Sequence, residues 1–404
     1  MVKGTYQPKF QKLYDIFSDS LESNYELGAA ISIEHNGKNI VNLWGGYTNE
    51  KKDQEWTEET IVNVWSVTKA ITGICIVKLI NDGKLDVNNL VTSYWPEYGN
   101  NGKENTTVKD LLTHRAGMFG FQNDYPQTNW NDWHAYVKAL EEQKPFRPPG
   151  SSQGYHAVTF AWLVGELIKK IDGRTVGEYF KEEFSKPLNL DFHIGLDKKD
   201  LHRCAEVSYK RLDNLKPPLD FIKYVPSFLL NKDLINYKET VISKDFLKAF
   251  NSKHFDKNGP NSVDWRTAEV PSANGHGTAY SLAKLFGILS NGCEINGNKL
   301  IDQKILTEAT RIHSKGPDTV LFGSKLNFGY CFMVEQSFSD KLNFAPIFKT
   351  EAFGHAGIGG SVAFGDLKNK IGYSFVCNRQ QKTSNLYKTS NLLTKALYEL
   401  LDQN

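Results

Sequence analysis

Cysteine is scarce in this chain, and neither sign of charge is in excess. Five cysteines (Cys75, Cys204, Cys293, Cys331 and Cys377) are scattered over 404 residues. Their number is odd and no two form a C-x-x-C pair, which speaks against a disulfide framework or a zinc site and for buried thiols in a reducing compartment. The 48 basic and 46 acidic residues leave a net charge of +2, so nothing in the composition points to nucleic acid or an anionic membrane as partner. No run approaches the ~18 uncharged apolar residues of a membrane span. Residues 1–11 are polar and lack the apolar core of a secretory signal, so a cytoplasmic protein is expected. The sequon Asn105-Thr106-Thr107 is then read as chance. Neither H-x-H-x-D nor H-E-x-x-H occurs, so no metal is expected, and no cofactor is called for.

What is present is globular: 40% hydrophobic and 12% aromatic residues, in a chain long enough for one large or two interlocked domains. Apolar residues at helical spacing predict helices over 10–21, 68–81, 108–113, 130–142, 159–171, 278–290 and 389–401, several stopped by glycine. Strand patterns lie at the two ends. Residues 29–35 and 39–44 flank the turn signal Asn36-Gly37, and 328–334, 361–366 and 370–377 follow late in the chain. The expected fold class is therefore α+β. One antiparallel sheet (1–60 with 292–404) is flanked by the first and last helices, and 61–291 is inserted as a mostly helical lobe. Residues 212–261 have no clear periodicity and are expected to form a lid or cap.

Ser66-Val67-Thr68-Lys69 opens the apolar helix. Residues three apart share a helix face, so the Lys69 amine can lie beside the Ser66 hydroxyl. A buried lysine sheds its charge readily and can take the proton that makes a serine nucleophilic. Ser66 at the helix start also has a free backbone N–H beside it. The competing reading of these four residues is an N-cap serine followed by a solvated lysine.

Further blocks follow in order: Leu111-Leu112-Thr113-His114-Arg115-Ala116-Gly117, Pro149-Gly150, Tyr155-His156-Ala157, Leu163-Val164-Gly165-Glu166, Pro271-Ser272-Ala273-Asn274-Gly275 and Gly354-His355-Ala356-Gly357-Ile358-Gly359-Gly360-Ser361. With Trp44-Gly45-Gly46 near the start, the chain resembles the serine β-lactamase-like superfamily over about 29–378. Class C β-lactamases and family VIII carboxylesterases are the nearest kinds. The resemblance implies the β-lactamase/penicillin-binding-protein-like transpeptidase fold. It also implies an acyl-enzyme on Ser66, with Lys69 and Tyr155 sharing the proton work. Ser66 N–H and Ile358 N–H become the oxyanion donors, and His355 and Gly357 line the substrate. Gln122 stands where class C enzymes carry a glutamine that touches the substrate's amide side chain. His114, Trp44 and Trp65 are read as packing around the site, and His276 as a helix cap.

Two departures bear on substrate. Ala157 replaces the asparagine of Y-x-N, and His355 replaces the lysine of K-T-G. A fixed cation that would hold a carboxylate becomes a group largely neutral at pH 7, at a cost of about 1.5–3 kcal/mol for such a contact. A small-molecule ester substrate is therefore favoured. A β-lactamase or small-peptide hydrolase, and a non-catalytic scaffold, are the alternatives, and a homo-oligomer is left open. Gly150-Ser151-Ser152-Gln153-Gly154 also fits G-x-S-x-G, but the proline-rich stretch before it cannot be the buried strand that a nucleophile elbow needs.

Overall fold

The computed structural model describes residues 2–123, 126, 128–209, 225–230, 244–250, 259–295, 297–336, 345–349, 351–382 and 385–402. Asn36 (φ 50°) and Gly37 (φ 73°) are both left-handed. That geometry joins Gly28–His35 to Lys38–Gly46 by a two-residue turn matching the twist of paired strands. Among the described residues nine strands form one antiparallel sheet in the order Lys3–Tyr6, Lys38–Gly46, Gly28–His35, Ile371–Cys377, Val362–Asp366, Ala352–Ala356, Met333–Val334, Lys325–Phe328 and Ser314–Pro317. The early and late strand groups thus share one sheet, and the seam runs from Ala29–Cys377 to His35–Ile371.

Successive strand residues face opposite sides of a sheet, and Gly372 and Tyr373 use both. The Tyr373 hydroxyl donates to Ser390 O in the C-terminal helix Lys388–Leu401, which also packs against Gln11–Glu22. On the other face a Cβ on Gly372 would come within 2.1 Å of Ala283 O. The helix Ala279–Ser290 therefore seats directly on the sheet, although the sequence places it in the helical stretch 61–291. Val67–Asn81 is buried nearly all round. It contacts the Ala352–Ala356 strand as well as the helices Phe160–Asp172 and Val176–Phe180, so it joins sheet to helical lobe.

Some expectations change. Residues 328–334 are not one strand: the chain reverses at Cys331 (φ 66°), and Phe328 pairs with Met333. Alternation survives a reversal when both arms are apolar, so the pattern hides the turn. The helix expected from 130 begins at Trp133, where Asp132 accepts from Ala135 N–H as its cap. His276 is no cap. It lies in a short strand between Asn63 and His193, and Thr278 caps the following helix. Most of 212–261 lies outside the described residues. All five cysteines are buried. Among the described residues no helix is long and apolar enough to cross a membrane.

Candidate active site

Trp65 has a left-handed backbone (φ 52°), a strained conformation for a bulky residue, and it turns the chain from Val62–Asn63 into the helix Val67–Asn81. Ser66 follows at the N-cap position, but its side chain caps nothing. Lys69, three residues on, is fully buried. Its Nζ lies 3.1 Å from Ser66 Oγ and donates to Ala157 O (2.7 Å) and Ser272 O (2.9 Å). The reading of a capping serine beside a solvated lysine is thereby excluded.

Burial holds the Lys69 amine well below its usual pKa, with Cys331 acting the other way. A neutral amine has two N–H groups and one lone pair. Carbonyl oxygens only accept, so the two N–H groups go to Ala157 and Ser272. In that neutral form the lone pair would face Ser66 Oγ, 3.1 Å away.

Tyr155 is buried above this group, its ring centroid 4.9 Å from Lys69 Nζ. Burial raises its phenol above the usual value, while hydrogen bonding with Ser66 pulls it down. The phenol is therefore protonated at neutral pH. His114, Phe328, His355 and Phe250 surround the ring at centroid distances of 4.9, 6.2, 6.0 and 6.4 Å. His355 Nε2 is 3.5 Å from the Tyr155 hydroxyl. His355 is 2% exposed, and burial first, then Lys69, pushes its pKa down to about 3. It is a neutral neighbour of Tyr155. His114 is likewise fully buried and neutral, its Nδ1 accepting from His156 N–H (3.2 Å).

His355 and Ala356 end a strand whose neighbour on one side, Met333–Val334, pairs only with Phe353 and Gly354. The strand is internal in the sheet, yet among the described residues its last two, both buried, have no strand partner on that side. The loop beyond folds onto the nucleophile turn. A Cβ on Gly359 would lie 2.6 Å from Trp65 Nε1, and Gly357 N–H donates to Ser361 O (2.7 Å). Ile358 is 42% exposed. Among the described residues, neither Ser66 N–H nor Ile358 N–H donates to a protein group.

Ser66, Lys69, Tyr155 and His355 are thus brought together, with Gly357 and Ile358 on the loop that meets them. Gln122 bonds elsewhere: its N–H donates to Gln143 Oε1, its amide to Lys144 O, and its carbonyl accepts from Lys248 Nζ. Trp65 lies at the site, but Trp44 is on Lys38–Gly46, with three strands between it and Ala352–Ala356. Ser152 lies in irregular chain, with no strand before it and no helix directly after. Sequence reasoning missed Ser272 and the main chain of Ala157 as holders of Lys69, because a carbonyl carries no side-chain signature. It also missed Phe250, whose aromatic ring packs near Tyr155 from the helix Lys244–Phe250.

The fold and this arrangement define a serine hydrolase with the architecture of β-lactamases and penicillin-binding proteins. A family model described as Beta-lactamase matches residues 14–395, and the chain belongs to that family. It is similar to the esterase/beta-lactamase LipL of Mycobacterium tuberculosis (strain ATCC 25618 / H37Rv), at 27% identity over 100% of this chain and 88% of that protein. A solved penicillin-binding protein homologue from Caulobacter crescentus is 30% identical with a TM-score of 0.83, covering 99% of this chain and all of the other. A family VIII carboxylesterase is 28% identical with a TM-score of 0.84 and the same coverage.

Proposed function

We propose that the protein hydrolyses small, uncharged carboxylic esters through an acyl-enzyme on Ser66. The observation that carries this reading is the Lys69 amine, buried and held by two carbonyls with its remaining position 3.1 Å from Ser66 Oγ. Lys69 takes the hydroxyl proton as Ser66 Oγ bonds to the ester carbonyl carbon. Ser66 N–H and Ile358 N–H face the oxyanion. Tyr155 donates its proton to the departing alkoxide and regains one from Lys69. Water then attacks the acyl-enzyme, releases the carboxylic acid and restores Ser66. The reacting groups come from the two expected parts of the chain: Ser66, Lys69 and Tyr155 from 61–291, His355 and Ile358 from 292–404.

The preference for an uncharged ester rests on His355 and Ala157. A histidine held neutral by burial supplies no fixed charge for a carboxylate. Ala157 offers its carbonyl to Lys69 and no side-chain amide to a substrate. The similarity to a family VIII carboxylesterase and to an esterase/beta-lactamase supports ester hydrolysis as the reaction class.

The test is intact mass spectrometry after parallel exposure to a fluorophosphonate, a p-nitrophenyl butyrate and a penicillin, with the labelled peptide sequenced. A fluorophosphonate adduct on Ser66 and rapid turnover of the butyrate are expected. Efficient penicillin turnover, or a label on another serine, would defeat the reading.

A further inference from the structure

Asp318 has no exposed surface, and no lysine, arginine or histidine pairs with it among the described residues. A buried carboxylate without a counterion is costly, and hydrogen bonds must offset the lost hydration. Here the main chain supplies them. Oδ1 accepts from Val320 N–H (2.9 Å), Leu321 N–H (2.9 Å) and Tyr155 N–H (3.1 Å), while Oδ2 is 3.5 Å from Gln153 Nε2. The first two bonds close the turn that follows Ser314–Pro317. The third reaches across 163 residues to the backbone of the tyrosine placed in proton transfer.

Further contacts tie the same two segments together. Thr319 N–H donates to Gln153 O (3.0 Å). Ser314 Oγ donates to Gln153 Oε1, and Gln153 Nε2 reaches Leu326 O (3.4 Å). A Cβ on Gly154 would lie 2.9 Å from Thr319 Oγ1. Gln153 and Gly154, the last two residues of the segment that imitates a nucleophile elbow, are therefore gripped by the hairpin at the sheet's edge. Tyr155 is the next residue along the chain.

We propose that Asp318 is a positioning residue for the reaction: by accepting Tyr155 N–H it fixes the tyrosine's backbone, and so its hydroxyl, over Ser66 and Lys69. The proposal rests on the reading of Tyr155 as a proton donor. An apolar residue at 318 would leave three buried N–H groups unpaired. Asparagine keeps the shared acceptor; its amide faces Gln153, and turning the glutamine amide over to meet it gives up only the long contact to Leu326 O (3.4 Å). Serine is the informative replacement. Its hydroxyl still accepts from Val320 N–H, as in the serine counterpart of an Asx turn, but is a bond too short for Tyr155.

The experiment measures kcat and KM for an ethyl ester and a p-nitrophenyl ester of one acid, in wild type, D318N, D318S, Y155F and D318S/Y155F, with melting curves for each. Thr at 318 carries the same oxygen with more packed volume and replaces the serine variant if that one is unfolded at the assay temperature. D318N should stay within about threefold of wild type. D318S should lose about ten- to a hundredfold in kcat with little change in KM, since small misplacements of a positioned group cost that much. The loss in kcat/KM, which reports acylation even where breakdown of the shared acyl-enzyme limits kcat, should be larger for the ethyl ester, because ethoxide needs a proton to leave and p-nitrophenolate does not. D318S/Y155F should be no slower than Y155F alone. A folded D318S with wild-type kcat and kcat/KM, equal losses of kcat/KM on both esters, or a double variant slowed by the product of the single losses overturns the proposal. Wild-type kcat in Y155F defeats the tyrosine reading itself, and that variant leaves position 318 untouched.

Discussion

Gly357 lies so close to Val64 that a Cβ on it would come within 2.3 Å of Val64 O, and within 2.9 Å of the Trp65 Cβ. The loop bearing Ile358 and the turn bearing Ser66 are thereby held in contact by the absence of a side chain. A family-level glycine acquires a physical reason here, which is close approach of two backbones rather than a left-handed φ.

Gly357→Ala should therefore push the 357–360 loop off the nucleophile turn and withdraw Ile358 N–H from the oxyanion. Loss of one oxyanion donor costs about 10²–10³ in kcat, while overpacking one methyl destabilises by about 1–3 kcal/mol. Steady-state kinetics beside a melting curve separates the two. A folded variant with unchanged kcat would show that the loop does not serve the transition state.

Ser66→Ala should abolish both ester hydrolysis and fluorophosphonate labelling. Ser152→Ala should retain most activity, because Ser152 lies in irregular chain without the strand and helix of an elbow. Labelling kinetics on the two variants decides between them.

Lys69→Met should lower kcat by at least about 10²–10⁴, the usual worth of a general base. It also strips the donor from Ala157 O and Ser272 O. The variant no longer carries the desolvation of a buried amine, which offsets part of that cost. Retained wild-type kcat would remove Lys69 from the mechanism.

Acid should destabilise the fold through its histidines. His114, His156, His276 and His355 are all held below the usual 6.5, by burial first, and the last three reach about 3. Between those values the unfolded chain binds more protons than the folded one, so stability is lost as pH falls through 6.5. Glu34, Glu269 and Asp318, raised by burial, act the other way at the lower end of this range. His156→Gln keeps an acceptor near Met118 N–H, which His156 Nε2 serves at 3.1 Å. It should flatten the slope of unfolding free energy against pH by up to about 1.4 kcal/mol per unit. Denaturant midpoints at pH 5, 6 and 7 measure it, and an unchanged slope would mean that His156 takes up its proton in the fold at the same pH as in the unfolded chain.

Much of this protein is legible in the order of its residues. Helical and alternating periodicity located most helices and the two strand groups, because both repeats follow from local backbone geometry. Ser66 and Lys69 were legible for the same reason, being three residues apart on one helix. Tyr155, His355 and Ile358 came only through resemblance, since no local rule relates them to Ser66. Tertiary structure alone decided that Ala157 and Ser272 carbonyls orient Lys69, that Gly372 admits a helix onto the sheet, and that Asp318 holds the Tyr155 backbone. These contacts are made by main-chain atoms, which every residue carries alike, or by residues 88 to 203 positions apart. A one-dimensional pattern records which side chains are present. It does not record which backbone groups folding leaves facing one another.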